Sequence, residues 1–187
     1  MSAQERETLR LTFEQFWAEI KGARLTAGSP SSRQSAAGVS LAQEALRLAG
    51  EAADEDLLVE ARWMLAYTLT ADEKYADALP YWEQALSGYE QRGRHDVATG
   101  IRIGFITALT HAGKYREALE VASVAERWLK DHNDHFRYAR LCTNIANLYN
   151  RLDQHKRSYD YYVAAAEIFE KAGDHCKSVQ HQNRRPL

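Results

Sequence analysis

The stretch LAYTLTADEKYADALPYWEQAL, residues 65–86, decides the fold because it recurs twice further along the chain. FITALTHAGKYREALEVASVAE (105–126) and IANLYNRLDQHKRSYDYYVAAA (145–166) align with it without gaps, at a spacing of 40 residues. In the first copy Ala78, Trp82 and Ala85 lie four and three positions apart, and the later copies keep that register. This spacing places the three side chains on one face of an α-helix. The sequence therefore predicts a repeated pair of helices.

The breaks between helices repeat as well. Gly93, Asn133 and Gly173 share one register, and Gly and Asn tolerate the left-handed conformation that ends a helix. Asp134 and Asp174 follow two of these positions directly, where an aspartate accepts hydrogen bonds from the first N–H groups of the next helix. Each 40-residue unit therefore has a capped joint at its end. The tight turn in its middle is predicted at these residues: Glu73, Gly113 and Asp153.

The predicted fold class is all-α. Upstream of the repeats, Ala42 and Ala45 fall 40 residues before Trp82 and Ala85, which indicates a degenerate first unit. We expect eight antiparallel helices, at 4–27, 32–51, 54–72, 75–92, 95–112, 115–132, 135–152 and 155–172, and a ninth that starts near Asp174. The chain then divides into a degenerate helix pair (1–54), three repeats (55–94, 95–134 and 135–174) and the truncated start of another (175–187).

The repeat resembles the tetratricopeptide repeat (TPR) in its Leu65-Ala66, Leu69, Tyr75, Ala78, Trp82 and Ala85 marks and their equivalents. The resemblance covers residues 55–184. It departs from the family in its 40-residue length and in Glu90, Lys130 and Glu170, which replace the closing proline. The resemblance implies an α-α superhelix, a TPR-like solenoid, whose first helices line a concave groove for extended or helical peptides.

A narrower resemblance concerns residues 110–122 and 140–174. These stretches are similar to the repeats that precede the caspase-like CHAT domain in bacterial CHAT proteins. The repeat is also cut in mid-motif after Gly173, so we expect this chain to be the N-terminal part of a longer protein, with any protease chemistry outside it.

Composition excludes several classes of protein. The 187 residues carry a net charge of −2 and a pI near 6.4, which is no electrostatic footprint for nucleic acid or for an anionic membrane. No run of about 18 apolar residues is present, as a transmembrane helix would need. The polar N-terminus is unlike a secretory signal, and the two cysteines, Cys142 and Cys176, suggest reduced thiols in the cytoplasm. We expect a cytoplasmic protein.

Metal and catalytic sites are not predicted. His95, His135 and His175 lie 40 residues apart, which puts them at successive joints, roughly 10–20 Å from one another by helix packing distances. A shared zinc ion would need ligands about 2 Å away. The acidic run at 54–56 is typical of a helix N-terminus, and Cys142 has no histidine within two helical turns. No phosphate loop, GxSxG or HExxH motif occurs, so neither a cofactor nor an enzyme is predicted.

Aromatic residues recur on the second helix of each pair. A core and inter-repeat role is predicted for Trp82, Tyr89, Trp128, Tyr161, Tyr162 and Phe169, because aromatic side chains bury large apolar areas.

The predicted ligand groove lies on the first helices, opposite their packing face. In the third repeat that face carries Arg140, Asn144, Asn147 and Arg151, with Thr143 and Asn150 beside them. A carboxamide both donates and accepts hydrogen bonds, so it can hold a peptide backbone, and arginine recognises a carboxylate. The alternative is that Asn147 and Asn150 bond to neighbouring helices or simply face water. The predicted groove residues are Arg140, Thr143, Asn144, Asn147, Arg151, Tyr67, Met64, Thr107 and His111.

Two glycines fall on the same face of the second repeat, Gly100 and Gly104. Each costs about 1 kcal/mol relative to alanine in a helix. Close approach by a ligand or by a neighbouring helix would explain them, and so would relaxed selection.

The leading hypothesis is a non-catalytic protein-protein interaction module that binds an extended, acidic segment at the third-repeat end of the groove. The alternative is a regulatory or self-associating scaffold for a C-terminal effector, which would allow a homodimer through the end repeats. Partners in the form of nucleic acid or membrane are not expected.

Overall fold

The computed structural model describes residues 4, 7, 8, 11, 13, 14 and 32–182, and for 32–37 and 172–182 it describes the backbone alone. Between residues 32 and 182 the chain forms seven α-helices and, in this range, no strand. They are α1 (Ser32–Glu51), α2 (Glu55–Ala71), α3 (Tyr75–Gln91), α4 (His95–His111), α5 (Tyr115–Asp131), α6 (His135–Arg151) and α7 (His155–Gln182). The all-α prediction is confirmed.

Helices α2 to α6 each contain 17 residues and begin and end within one residue of the predicted boundaries. The predicted first helix, 4–27, lies mostly outside the described residues. The six residues described in it are helical, and Thr8 Oγ1 donates a hydrogen bond of 2.9 Å to the Gln4 carbonyl.

The predicted count of eight helices and the start of a ninth is wrong for the described range. No joint forms at Gly173, because α7 continues without a break from His155 to Gln182. A return helix must bury an apolar face to form, and residues 174–187 offer only Cys176, Val179, Pro186 and Leu187 as apolar residues. A helix that continues keeps its backbone hydrogen bonds, and glycine costs it only about 1 kcal/mol. His175 therefore lies within a helix and not at a joint.

The other joints form as predicted, and they share one backbone geometry. Left-handed residues recur every 20 positions, with φ between 51° and 77°, at Ala53, Glu73, Gly93, Gly113, Asn133 and Asp153. After α2 the Lys74 N–H donates to the Leu69 carbonyl (2.9 Å) and the Glu73 N–H donates to the Thr70 carbonyl (3.2 Å). This pair of bonds defines the Schellman motif, which satisfies the last carbonyls of a helix. The same pair closes α3, α4, α5 and α6.

Aspartates cap the N-termini of two helices. The Asp134 carboxylate accepts a hydrogen bond of 2.9 Å from the Arg137 N–H, as the sequence predicted. The Asp54 carboxylate accepts from the N–H groups of Asp56 and Leu57. The acidic run at 54–56 is therefore the start of α2, where negative charge offsets the helix dipole.

The chain forms two compact units, residues 1–101 and 102–187, and the boundary falls within α4. In the first unit α1 packs against α2, and α2 packs against α3. Trp82 is 1% exposed at the centre of this core, and its indole N–H donates to Thr70 Oγ1 at 2.9 Å. Ala42 and Ala45 of α1 are buried, which confirms the degenerate unit's packing face.

In the second unit α5 packs against α6, and α6 packs against α7. Its fully buried side chains are Ile106, Leu109, Leu129, Leu141, Cys142 and Leu148. The fold is thus an all-helical repeat array in which consecutive helices pack together. Within the part of the chain that the structure describes, no helix is both long enough and apolar enough to cross a membrane.

Candidate protein-interaction surface on α6 and α7

One face of α6 is accessible, and polar side chains at helical spacing follow it. The opposite face packs into the core through Leu141, Cys142, Ile145 and Leu148. The accessible face carries Arg140 and Thr143, which are half-buried, and Asn147 and Arg151, which are exposed. We call these four residues the polar row of α6. All four belong to the predicted groove set, and all four lie in the second unit.

Tyr162 of α7 fixes the carboxamide of Asn147. The tyrosine hydroxyl donates a hydrogen bond of 2.5 Å to Asn147 Oδ1. This bond occupies an acceptor site on the oxygen and leaves the amide nitrogen, with two N–H groups, at an exposed position. Among the described residues the Asn147 amide nitrogen has no recorded acceptor. Asn147 therefore presents an oriented donor at the surface.

Asn144 serves a neighbouring helix. Its amide nitrogen donates a hydrogen bond of 2.7 Å to the carbonyl oxygen of Ile103 in α4, 41 residues earlier. Ile103 is buried, and a carbonyl oxygen has two lone pairs, so it accepts this bond in addition to its helical one. The bond joins the first helices of two successive repeats. The sequence analysis considered such a role for Asn147 and Asn150, whereas the structure gives it to Asn144.

Basic side chains gather where α6 ends and α7 begins. Arg151 lies in the last turn of α6, and α7 starts with His155, Lys156 and Arg157 and has no acidic residue in its first turn. The Arg157 guanidinium lies 5.5 Å from the ring centroid of Tyr149, in cation–π range. Cations at a helix N-terminus oppose the helix dipole, so this end favours a negatively charged neighbour. The nearby acids of the chain are Asp153 and Asp160.

Exposed aromatic side chains border the polar row. Phe136 of α6 is 59% exposed and meets Phe169 of α7 edge-to-face, with 5.7 Å between ring centroids. Phe169 is 38% exposed and Tyr162 is 41% exposed, so the predicted core role is wrong for both. Phe136 was absent from the predicted groove. Its signal in the sequence is a phenylalanine at the repeat position that Asp96 occupies 40 residues earlier.

The remaining predicted groove residues are dispersed. Met64 and Tyr67 lie in the first unit. Met64 is fully buried in the core, and a side chain without exposed surface cannot touch a ligand, so its assignment to the groove is wrong. Tyr67 is half-buried. In the second unit Thr107 is half-buried and His111 is exposed, both on α4.

The glycine at position 100 has open space beside it. A Cβ atom built on Gly100 would have nothing within 4 Å, so packing by a neighbouring helix does not explain this glycine. Gly88 is the opposite case, because a Cβ there would lie 2.4 Å from Val59 Cγ2. The tight helix contact in the first unit is therefore at Gly88, which the sequence analysis did not single out.

Cys142 and His132 are held by packing contacts within the described part of the chain. Cys142 is fully buried, and burial raises the pKa of its thiol, so the protonated form persists at neutral pH. His132 stacks on Trp128, with 3.9 Å between ring centroids, and its Nδ1 lies 2.8 Å from the Trp128 carbonyl oxygen. Among the described residues no three His, Cys, Asp or Glu side chains are grouped so that they could hold a metal ion.

Comparisons with known proteins give no family for this chain. No protein-family model matches the sequence, and no curated protein is significantly similar to it.

Proposed function

We propose that this chain is a non-catalytic protein-interaction module that binds an extended, acidic peptide segment along the polar row of α6. The observation that carries the proposal is the arrangement of Asn147, whose carboxamide is oriented by Tyr162 with its donor groups at the surface. An oriented amide donor suits a peptide carbonyl, which every peptide offers whatever its side chains. Orientation before binding also lowers the entropy lost when the complex forms.

The charges beside the row support an acidic ligand. Arg151 is exposed at one end of the row, one helical joint away from Lys156 and Arg157. A guanidinium binds a carboxylate through two parallel hydrogen bonds, so Arg151 selects for acidic side chains where Asn147 selects for backbone. Phe136 at the other end of the row adds an exposed apolar contact.

The same proposal assigns the repeat to the TPR class, as a solenoid of 40-residue units, and places the protein in the cytoplasm of a bacterium. The resemblance of residues 110–122 and 140–174 to the repeats of CHAT proteins suggests an effector of that type. Support for the class comes from the consecutive packing of paired helices and the regular joints. The raised thiol pKa of Cys142 supports a function without nucleophilic catalysis.

The experiment measures binding of the full chain to an array of ten-residue peptides rich in Asp and Glu, followed by calorimetry on the best binder. We expect Arg151→Glu to weaken binding about tenfold or more, since a hydrogen bond to a charged group contributes about 1.5–3 kcal/mol. Asn147→Ala should weaken it about two- to tenfold, since a hydrogen bond between neutral groups contributes about 0.5–1.5 kcal/mol. Raising the salt concentration should weaken binding through Arg151 because exposed charges are screened.

Arg127→Glu is the control, since it makes the same charge change at an exposed position of α5, outside the row. It should leave the affinity within about twofold, because salt screens an exposed charge that makes no contact with the ligand. Equal losses in Arg127→Glu and Arg151→Glu would show attraction by net charge only and would contradict a site on α6. Unchanged binding by Asn147→Ala and Arg151→Glu would contradict it as well.

A further inference from the structure

Helix α7 carries an exposed apolar row, of which the peptide proposal uses only Tyr162. Tyr159 is 68% exposed and Val163 is 36% exposed, and Ala166 is also exposed. Together with Tyr162 and Phe169 they follow one stripe of the helix. Tyr159, Tyr162, Ala166 and Phe169 are spaced three, four and three residues apart, which is the spacing with which one helix packs along another. We call Tyr159, Tyr162, Val163, Ala166 and Phe169 the outer row of α7.

The repeat relates two residues of this row, Tyr162 and Phe169, to a surface on which a helix docks. The residues 40 positions earlier on α5 include Ala122 and Leu129, which are 2% and 1% exposed. Helix α6 packs on α5, and the Tyr138 hydroxyl donates to Glu126 Oε1, the equivalent of Ala166, at 3.2 Å. In the part of the chain that the structure describes, no helix follows α7 to cover the corresponding row.

The row and its flanking charges are complementary to a second copy of themselves in antiparallel orientation. With a two-fold axis at the level of Ala164, Tyr159 would face Phe169 of the partner subunit, and Tyr162 would face Ala166 of the partner subunit. The Tyr162 layer pairs a large ring with the small side chain of Ala166, and the Tyr159 layer pairs two aromatic rings. The two-fold axis generates a second copy of each contact, so each pair of side chains occurs twice in the interface.

The charges beside the row distinguish this register from its neighbours. In this register Lys156 lies within two positions of the level of Glu170 of the partner subunit, on the same flank of the contact, and the symmetry gives a second such pair. A shift by one heptad in either direction breaks both layers and moves Lys156 further from the level of Glu170 of the partner subunit. The shifted registers lose this attraction between opposite charges, so they are disfavoured.

We propose that the chain forms a two-fold symmetric homodimer through antiparallel pairing of α7 with α7 of a second copy, with the outer row as its core. The contact covers about three helical turns on each side, which is small for a stable interface. Dissociation in the micromolar range or weaker follows from that size. The inference does not rest on the proposed function, although the outer row meets the polar row of α6 at Tyr162 and Phe169.

The test is sedimentation equilibrium of the full chain from about 5 to 500 µM, a range that spans the weak end of specific association. The wild type should shift from monomer to dimer, and the double variant Tyr159→Ala with Phe169→Ala should weaken association at least tenfold. Both side chains are more than a third exposed, so circular dichroism should show an unchanged helix content. A monomer at every concentration would overturn the proposal, as would undiminished dimerisation of the double variant.

Charge reversal tests the antiparallel register. Lys156→Glu alone and Glu170→Lys alone should each weaken association several-fold, because each places like charges together twice in the dimer. The combined variant Lys156→Glu with Glu170→Lys exchanges the partners and should restore wild-type association. A combined variant as weak as the single ones would refute the pairing.

Lys171→Glu is the matched control, because Lys171 is exposed on the side of α7 that points away from the outer row. It should sediment as the wild type does. Arg151→Glu should also leave dimerisation unchanged, so a failure of the peptide proposal and a failure of the dimer proposal would be told apart. Loss of dimer in Lys171→Glu would show nonspecific association and would overturn the proposed interface.

Discussion

At the scale of single residues, the asparagines of α6 show how two identical side chains three positions apart take different roles. Asn144 donates across to the Ile103 carbonyl, so its amide holds two helices of the second unit together. Asn147 accepts from Tyr162 and remains exposed. The difference follows from the helical angle of about 300° between them, which turns one toward α4 and the other toward solvent.

These roles predict that Asn144→Ala affects mainly stability and Asn147→Ala mainly peptide binding. Asn144→Ala should lower the free energy of unfolding by about 1–2 kcal/mol, because it removes a hydrogen bond from a half-buried site. Asn147→Ala should change it by less than about 0.5 kcal/mol, as is usual at exposed positions. Urea unfolding followed by circular dichroism measures both. A larger loss in Asn147→Ala than in Asn144→Ala would contradict the assigned roles.

Register alone could predict that both asparagines lie near the accessible face of α6, and it did. It could not predict the Asn144–Ile103 bond, because that bond depends on the distance between two helices whose sequences are 41 residues apart. The helical register could not predict the burial of Met64 for the same reason. The side chain falls at a groove position of the helical wheel, but its neighbours close over it completely.

At the scale of helices, the contact between α2 and α3 depends on the absence of one side chain. Gly88 is buried, and a Cβ atom there would lie 2.4 Å and 2.9 Å from the two methyl groups of Val59. Valine is stiff at χ1, so it cannot rotate away without strain. The two helices approach each other as closely as they do because position 88 is a glycine.

Gly88→Ala should therefore destabilise the protein by about 1–3 kcal/mol, the usual effect of overpacking, although alanine is the better helix former. Thermal unfolding measures the change. Adding Val59→Ala to Gly88→Ala should recover part of the loss, so that the two substitutions couple in a double-mutant cycle.

Gly100→Ala provides the control, because an alanine Cβ at that position in α4 meets nothing within 4 Å. It should stabilise the protein by about 0.5–1 kcal/mol through helix propensity alone. If both glycine substitutions changed stability in the same direction, the steric explanation would fail.

The N-terminus of α6 gives a prediction about pH. Burial of Asp134 raises the pKa of its carboxyl, but hydrogen bonds from the Arg137 N–H and guanidinium outweigh that effect and leave the pKa below its usual 3.8. A pKa lower in the folded state stabilises that state above the pKa of the unfolded chain. The contribution is lost as the pH falls through the folded pKa, below about 4.

Asp134→Asn keeps an acceptor for the cap but cannot carry the charge. It should be less stable than the wild type by about 0.5–1 kcal/mol at pH 7, and this difference should shrink as the pH falls below about 4. Asp134→Ala, which removes the cap itself, should remain destabilised at both values. Urea unfolding at a series of pH values is the measurement, and a gap between wild type and Asp134→Asn that widens on acidification would contradict the charge assignment.

At the scale of the whole chain, the 40-residue repeat predicted five helices to within one residue, since the same joint ends each of them. It failed at Gly173, where the repeat predicted a joint but the helix continues to Gln182. The residues at 174–187 have too few apolar side chains to form a packed return helix. It failed at Tyr162 and Phe169 for a related reason. Their positions in the repeat predicted that a further helix would bury them, but both side chains are exposed. Repeat position predicts burial only where the neighbouring repeat is present.

The uniform joints also bear on how fast the protein folds. Left-handed residues every 20 positions bring each helix back against its predecessor, so the packed helix pairs are neighbours in sequence. Such a chain has a low relative contact order, and chains of this kind fold in microseconds to milliseconds because little loop entropy is lost before a contact forms. Any hairpin of two helices is then an equally good place for folding to start. Kinetic refolding should accordingly be fast, and slowed little by a destabilising substitution in any one helix pair.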